Sequence, residues 1–154
     1  MPFDYHNIGG SITPVAGVNP VSIAANSTAA NGVAQTGSAI DRHTYNNPLS
    51  CTLVVPYTGS LAAGEKATLE VQISESTSST GTYTSYSNTS SVIGSTSSTA
   101  SQTPSGVVAL DVDLGAADRY LKGSITATIS GTTTASTVIF GESIIFGGAN
   151  ASPE

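Results

Sequence analysis

The chain has 154 residues, enough for one domain with a core of its own and too few for two. Only 9% of them are charged, four cations against ten acids for a net charge of −6, so no basic stripe exists to neutralise phosphates and nucleic acid is excluded as a partner. One cysteine, Cys51, excludes an internal disulfide and a multi-cysteine zinc site, and no apolar run reaches the ~18–20 residues of a membrane helix. No membrane partner is therefore expected. Ser and Thr make up 45 of the 154 residues and Leu, Ile, Val and Phe only 33, a balance near that of disordered chains. The low net charge and a mean hydropathy of +0.10 place the chain among the folded ones.

Residues 1–32 read as an extended N-terminal arm. Pro2, Pro14 and Pro20 fix φ and remove ladder donors, while Val15, Val18, Val21 and Ile23 follow no period of their own. Such a segment is expected to dock on its own domain or on a neighbouring subunit. The opening residues Met1 to His6 carry neither a basic nor an apolar signal region, which points to maturation in the cytoplasm where the chain is made.

Residues 33–148 read as a β-sandwich domain. Leu49 to Val55 is a β-branched run closed by Pro56 and a Tyr57-Thr58-Gly59-Ser60 turn. Residues 67–74 alternate cleanly, Leu69, Val71 and Ile73 on one face and Thr68, Glu70 and Gln72 on the other, the period of a half-buried strand. Val108, Leu110, Val112 and Leu114 repeat the pattern, and so do Leu121, Gly123, Ile125, Ala127 and Ile129. The run from Thr137 to Phe146 is broken by Gly141-Glu142, where a bulge or bend is expected. Between them, 75–106 is Ser/Thr-rich with few apolar anchors and predicts a long hairpin or exposed loop, with short strands near 82–86 and 89–93. Residues 149–154 form a short tail. Short strands separated by Gly, Ser, Thr and Pro, with almost no helical signal, give the fold class: all-β, an antiparallel β-sandwich of jelly-roll or immunoglobulin-like type.

No catalytic constellation is legible. The two histidines are His6, in the arm, and His43, beside Asp41-Arg42, and no nucleophile elbow, phosphate loop or zinc-peptidase motif accompanies them. Asp111 and Asp113 share a strand face, with Asp118 a little further on, and could begin a calcium site; the simpler reading is a solvated strand face. Glu65, Glu70 and Glu75 share no face and read as surface charge. Tyr83 and Tyr86 are the best stacking platforms for a glycan, although packing or a neighbour contact explains them more simply. No cofactor or metal is expected. Both arginines follow an aspartate, in Asp41-Arg42 and Asp118-Arg119, and each is expected to bind a carboxylate or loop carbonyl, pinning strand ends or subunit contacts. The structural and interface candidates are therefore Asp41, Arg42, Asp118, Arg119, Tyr83 and Tyr86.

Gly37-Ser38-Ala39-Ile40-Asp41-Arg42, Leu53-Val54-Val55, Thr58-Gly59-Ser60-Leu61-Ala62-Ala63-Gly64 and the strand ending Gln72-Ile73-Ser74-Glu75-Ser76 form one set of motifs. With Val112-Asp113-Leu114-Gly115-Ala116-Ala117-Asp118-Arg119-Tyr120-Leu121 and the closing Val138-Ile139-Phe140-Gly141, they resemble the small virion proteins of tailed bacteriophages over roughly residues 36–146. Chains of that family are β-rich and serve as head decoration, or cement, proteins. The resemblance implies a non-enzymatic structural protein on the capsid surface of a virion. It would stabilise the shell by bridging major capsid protein subunits, and would itself form a trimer or dimer at a symmetry axis. The rival readings are a phage head-fibre, tail or receptor-binding module, with Tyr83 and Tyr86 at its tip, and a carbohydrate-binding or adhesion β-sandwich.

Overall fold

The computed structural model describes residues 12–27, 30–131 and 135–149. They form β1 (Thr13–Ala16), β2 (Val21–Ala24), β3 (Ala34–Thr36), β4 (Ile40–Asp41), β5 (Pro48–Ser60), β6 (Lys66–Ser76), β7 (Thr84–Ser95), β8 (Ser105–Asp113), β9 (Tyr120–Ser130), β10 (Thr137–Phe140) and β11 (Ser143–Ala149). A 3-10 turn, Arg42–Tyr45, precedes β5, and the left-handed pair Asn46 (φ 57) and Asn47 (φ 50) returns the chain from it.

All pairs are antiparallel. In the first sheet β5 is flanked by β8 on one side and by β10 and β11 on the other; β11 then pairs with β1 and β10 with β2. In the second, β9 lies between β6 and the short strands β3 and β4, and β6 pairs with β7 at the far edge. Each of β1–β2, β3–β4 and β10–β11 is one strand with an interruption. Counted so, the sheets have the chain orders 1-8-3-6 and 2-7-4-5. That order is the eight-stranded jelly roll, an architecture common to viral capsid domains, lectins and cupins. Of the two sandwich types expected, the jelly roll is the one formed.

The alternation read from the sequence is the alternation that packs. Leu53 and Val55 of β5, Leu69, Val71 and Ile73 of β6, Val108, Leu110 and Val112 of β8 and Leu121, Ile125 and Ile129 of β9 all point between the sheets and are buried. Each such side chain contributes roughly 1.5–3 kcal/mol, and together they fix strand register, since a slip of one residue would turn a whole row to water.

Of the segment read as an arm, 1–32, residues 13–24 lie along the sandwich's own edge as β1 and β2, with Ile23 buried. Residues 1–11 lie outside the described residues, as does the tail beyond Ala149. The Ser/Thr-rich stretch 75–106 holds one 12-residue strand, β7, in place of the two short ones expected. Only Ile93 and Gly94 of it are buried, so it carries almost no hydrophobic period, and pairing to β6 holds it instead.

The interruption at Gly141-Glu142 has a different cause from the expected bulge in that strand. Phe140 pairs with Tyr57 and Ser143 with Val54, so register against β5 runs through unbroken; Pro56, opposite the gap, has no N–H to give. The bulge is in the partner strand. Ala16 pairs with Ser143 and Val21 with Phe140, so four residues, Gly17 to Pro20, span the gap filled by two on the other side.

Candidate interaction surfaces

Arg42 is 7% exposed, and its guanidinium lies among backbone carbonyls. Nη2 donates to Pro48 O (3.0 Å) and Leu114 O (2.8 Å), and Nη1 to Ala117 O and to Asp118 O (3.2 Å). A planar fork with five donors suits this cluster of acceptors, which belongs to the β8–β9 loop and the start of β5. Its neighbour Asp41 caps the 3-10 turn by accepting from the His43 N–H (3.0 Å), and receives both Arg119 Nε (2.9 Å) and Arg119 Nη2 (2.7 Å). That guanidinium holds the Asp41 carboxyl well below the usual carboxylate range, at about 2. Asp118 gives its N–H to Glu75 Oε2 (2.7 Å). The two Asp-Arg pairs are therefore brought together at one end of the sandwich, Arg42 inside it and Asp41–Arg119 on its surface.

Tyr83 lies under Lys122, whose Nζ is 4.2 Å from the ring centroid, and donates to Ser79 O (3.2 Å). Tyr86 is placed elsewhere. In the β6–β7 ladder Ile73 pairs with Ser87 and Ser74 with Ser85, so Tyr86 is the extra residue of a bulge; its hydroxyl donates to Asp113 O of β8 (2.8 Å), closing the gap between the sheets. A second shift leaves Ile93 unpaired between Val92 and Gly94 and turns it into the core. Neither bulge has a local signature in a run of Ser and Thr.

Asp111 accepts from Thr52 Oγ1 (2.6 Å) and Asp113 from the Gly115 N–H (2.8 Å). With Leu49 to Cys51 they line a shallow cavity of about 410 Å³. Among the described residues no three His, Cys, Asp or Glu side chains converge on a possible metal position. His43 is exposed, and burial pushes the Cys51 thiol up to about 12. Glu65 departs from the surface-charge reading: it is 5% exposed and packs under Gly131, where a β-carbon would meet its carboxylate at 2.1 Å.

The two outer faces of the sandwich differ. On the first sheet, cross-strand rows join Pro14 to Ile145, Ala16 to Ser143, Val54 and Ala109, and Pro56 to Val107, with Ile139 beyond them. Val107 is 61% and Ile139 45% exposed, and charge enters this face only at one end, with Asp111 and Asp113. The second sheet's outer face is hydroxyl- and amide-lined. Thr36, Ser124, Gln72 and Asn88 form one row and Thr126, Glu70 and Ser90 another; Val92 is its exposed aliphatic exception. Sequence reading found the alternation in each strand, but which faces end up side by side depends on strand order, which no local pattern contains.

No protein-family model matches the sequence, and no curated protein does either. Among solved structures, a chain of infectious bursal disease virus, Gx strain, overlays with a TM-score of 0.44 at 10% identity, over 92% of this chain and 34% of that one. The CBM22-1–GH10 modules of Clostridium thermocellum endo-1,4-β-D-xylanase 10B, complexed with xylohexaose, give 0.36 at 14% identity, over 94% of this chain and 27% of that one. A chain of Desmodium yellow mottle tymovirus gives 0.28 at 9% identity, covering 93% and 91%. This chain thus spans about a third of the length of the birnavirus chain and a smaller share of the xylanase.

Proposed function

We propose that the chain is a non-enzymatic structural protein of a virus particle, specifically a phage head decoration protein that bridges major capsid protein subunits on the capsid surface. The observation that carries this reading is the contrast between the two outer faces. A protein spread over a shell keeps one side in contact and one in water. Here Pro14, Ala16, Val54, Pro56, Val107, Ala109, Ile139 and Ile145 make a largely apolar side, with Thr52, Thr58 and Ser143 set among them, and rows of Ser, Thr, Asn and Gln make a wet one. A patch of this kind, rimmed by polar residues, is where a protein of this size makes its contacts.

The size of that face bears on assembly. Four strands ~4.8 Å apart and four outward positions ~7 Å apart cover roughly 300–550 Å². A stable pairwise complex uses ~800 Å² per partner, so one copy by itself would bind weakly. Self-association into a trimer or dimer multiplies the contact, and occupancy over a whole shell multiplies it again. Among the described residues catalysis has little to draw on: His43 is exposed, Cys51 is a buried thiol, and both arginines are committed to structural bonds. The reading calls for no cofactor, and the place of action is the outside of the virion after synthesis in the host cytoplasm. A glycan-binding role would use Tyr83, but Lys122 already covers one face of that ring.

Copy number in purified particles tests the proposal. Hundreds of copies in a simple ratio to the shell protein support decoration. A handful would move the chain to a tail, fibre or receptor-binding position, and absence from particles would overturn the virion reading.

A further inference from the structure

Glu142 stands at a core-facing position, in line with Val138, Phe140, Ile144 and Phe146 of β10 and β11. It is 6% exposed, and neither carboxylate oxygen has a hydrogen-bond partner. Two glycines, Gly123 and Gly17, clear its space, and a third, Gly37, makes room for the Gly17 carbonyl. A β-carbon at Gly123 would lie 2.0 Å from Oε1, one at Gly17 would lie 2.8 Å from Cδ, and one at Gly37 would strike the Gly17 carbonyl at 2.7 Å. The lid over this notch is the bulge Gly17 to Pro20, held by Gly17 N–H to Glu142 O (3.1 Å) and Glu142 N–H to Val18 O (2.9 Å). On its outer side the bulge borders a cavity of about 280 Å³ lined by Ala16, Val18, Asn19, Pro20, Pro56 and Gly141 to Ser143, open to water.

A buried unsatisfied polar group is rare in a native fold, and a buried unpaired charge rarer still. The neighbours supply no counter-charge. The links at residues 17–20 and 37–39 contain no titratable side chain; Lys122, next to Gly123 on β9, lies on the opposite face over Tyr83; and Cys51 of β5 is a thiol that burial keeps neutral. Glu142 is thus stable inside as the neutral acid, and stable as the anion only where water reaches it.

We infer that Glu142 and the Gly17–Pro20 bulge form a proton-operated latch on the N-terminal edge strand. With the carboxyl protonated, β1–β2 lies shut along β10–β11. Loss of the proton favours a state in which the bulge lifts and water solvates the carboxylate. Burial pushes the carboxyl up to about 7 in the closed state, the Val18 backbone acting in the opposite sense, against 4.5 when solvated. Opening therefore releases a proton between those two values. The equilibrium toward the open state rises with pH across that window and is level above it. This device depends on the fold alone and holds whatever the outer faces bind.

Amide hydrogen exchange on the full chain, followed residue by residue from pH 4 to pH 8.5 and corrected for intrinsic rates, tests the latch. Protection at the Gly17 and Glu142 amides is expected to fall by up to about tenfold per pH unit between about 4.5 and 7 and then level off. Protection at Val71 and Ile125, in the middle of the second sheet, should stay constant over the same range. Glu142→Gln, which cannot ionise, should remove the pH dependence at Gly17. A flat profile at Gly17 in the unmodified chain overturns the inference without need of any variant. A fall shared equally by Val71 and Ile125 also overturns it, as does a Glu142→Gln profile that still falls.

Discussion

The Arg42 guanidinium donates to the Leu114 carbonyl at 2.8 Å, joining residues 72 positions apart in the chain. The same side chain ties down Pro48, Ala117 and Asp118, so one buried cation sets the shape of the β8–β9 loop against the start of β5.

Replacing Arg42 by Met leaves those carbonyls buried without donors. The expected loss is about 3 kcal/mol or more, a fall in Tm of roughly 6–12 °C for a chain of this size. Arg42→Lys should recover little of it, because an ammonium cannot reach the spread of acceptors that a planar fork reaches. Thermal or urea unfolding of the two variants measures this, and wild-type stability in either would show that the loop holds itself.

Asp41 and Arg119 make the complementary surface pair, and here the expectation concerns pH. The folded pKa of Asp41, about 2, lies below its ordinary 3.8, so the pair contributes stability above pH 3.8 that is lost as pH falls toward 2. Arg119→Ala should lower stability above pH 3.8 and leave it unchanged below about pH 2, so that the acid limb between those values flattens. Because Arg119 is 44% exposed, 1 M salt should have much the same effect as the substitution. An acid limb identical in the variant and the parent would contradict the assignment.

Gly123→Ala forces a β-carbon into the space of the Glu142 carboxylate. Overpacking of this kind costs roughly 1–3 kcal/mol. Combined with Glu142→Ala, the same change should cost clearly less than the sum of the two single changes, since the clash then has no second partner. A double-mutant cycle by urea unfolding reads the coupling; strict additivity would place the strain elsewhere.

Several of these relationships were half-visible in the sequence. The rows Leu69-Val71-Ile73 and Val108-Leu110-Val112 announce their strands because water on one face and core on the other impose a period of two. Gly123 occupies a core position in one such row and Glu142 in another. Each was legible as an irregularity, and only the packing of β9 against β10–β11 shows that one makes room for the other. The Asp-Arg pairs were legible as anchors, whereas their convergence at one end follows from the pairing of β4 with β9. β7 escaped because its register is kept by partner hydrogen bonds and two bulges, none of which has a hydrophobic signature. Residues 13–24 were legible as an extended segment that docks, but Pro14, Gly17 and Pro20 hide its strand period, and the bulge opposite Gly141-Glu142 appears only in the pairing.

The central claim is that the apolar outer face of the first sheet is the side that meets the shell. Covalent footprinting of the chain, free in solution and then bound to particles, followed by mass spectrometry, tests it most directly. The account predicts protection on binding at Val54, Pro56, Val107 and Ile139, with Thr68, Ser90 and Thr126 labelled equally in both states. Protection confined to the hydroxyl-lined face, or to neither face, would contradict it.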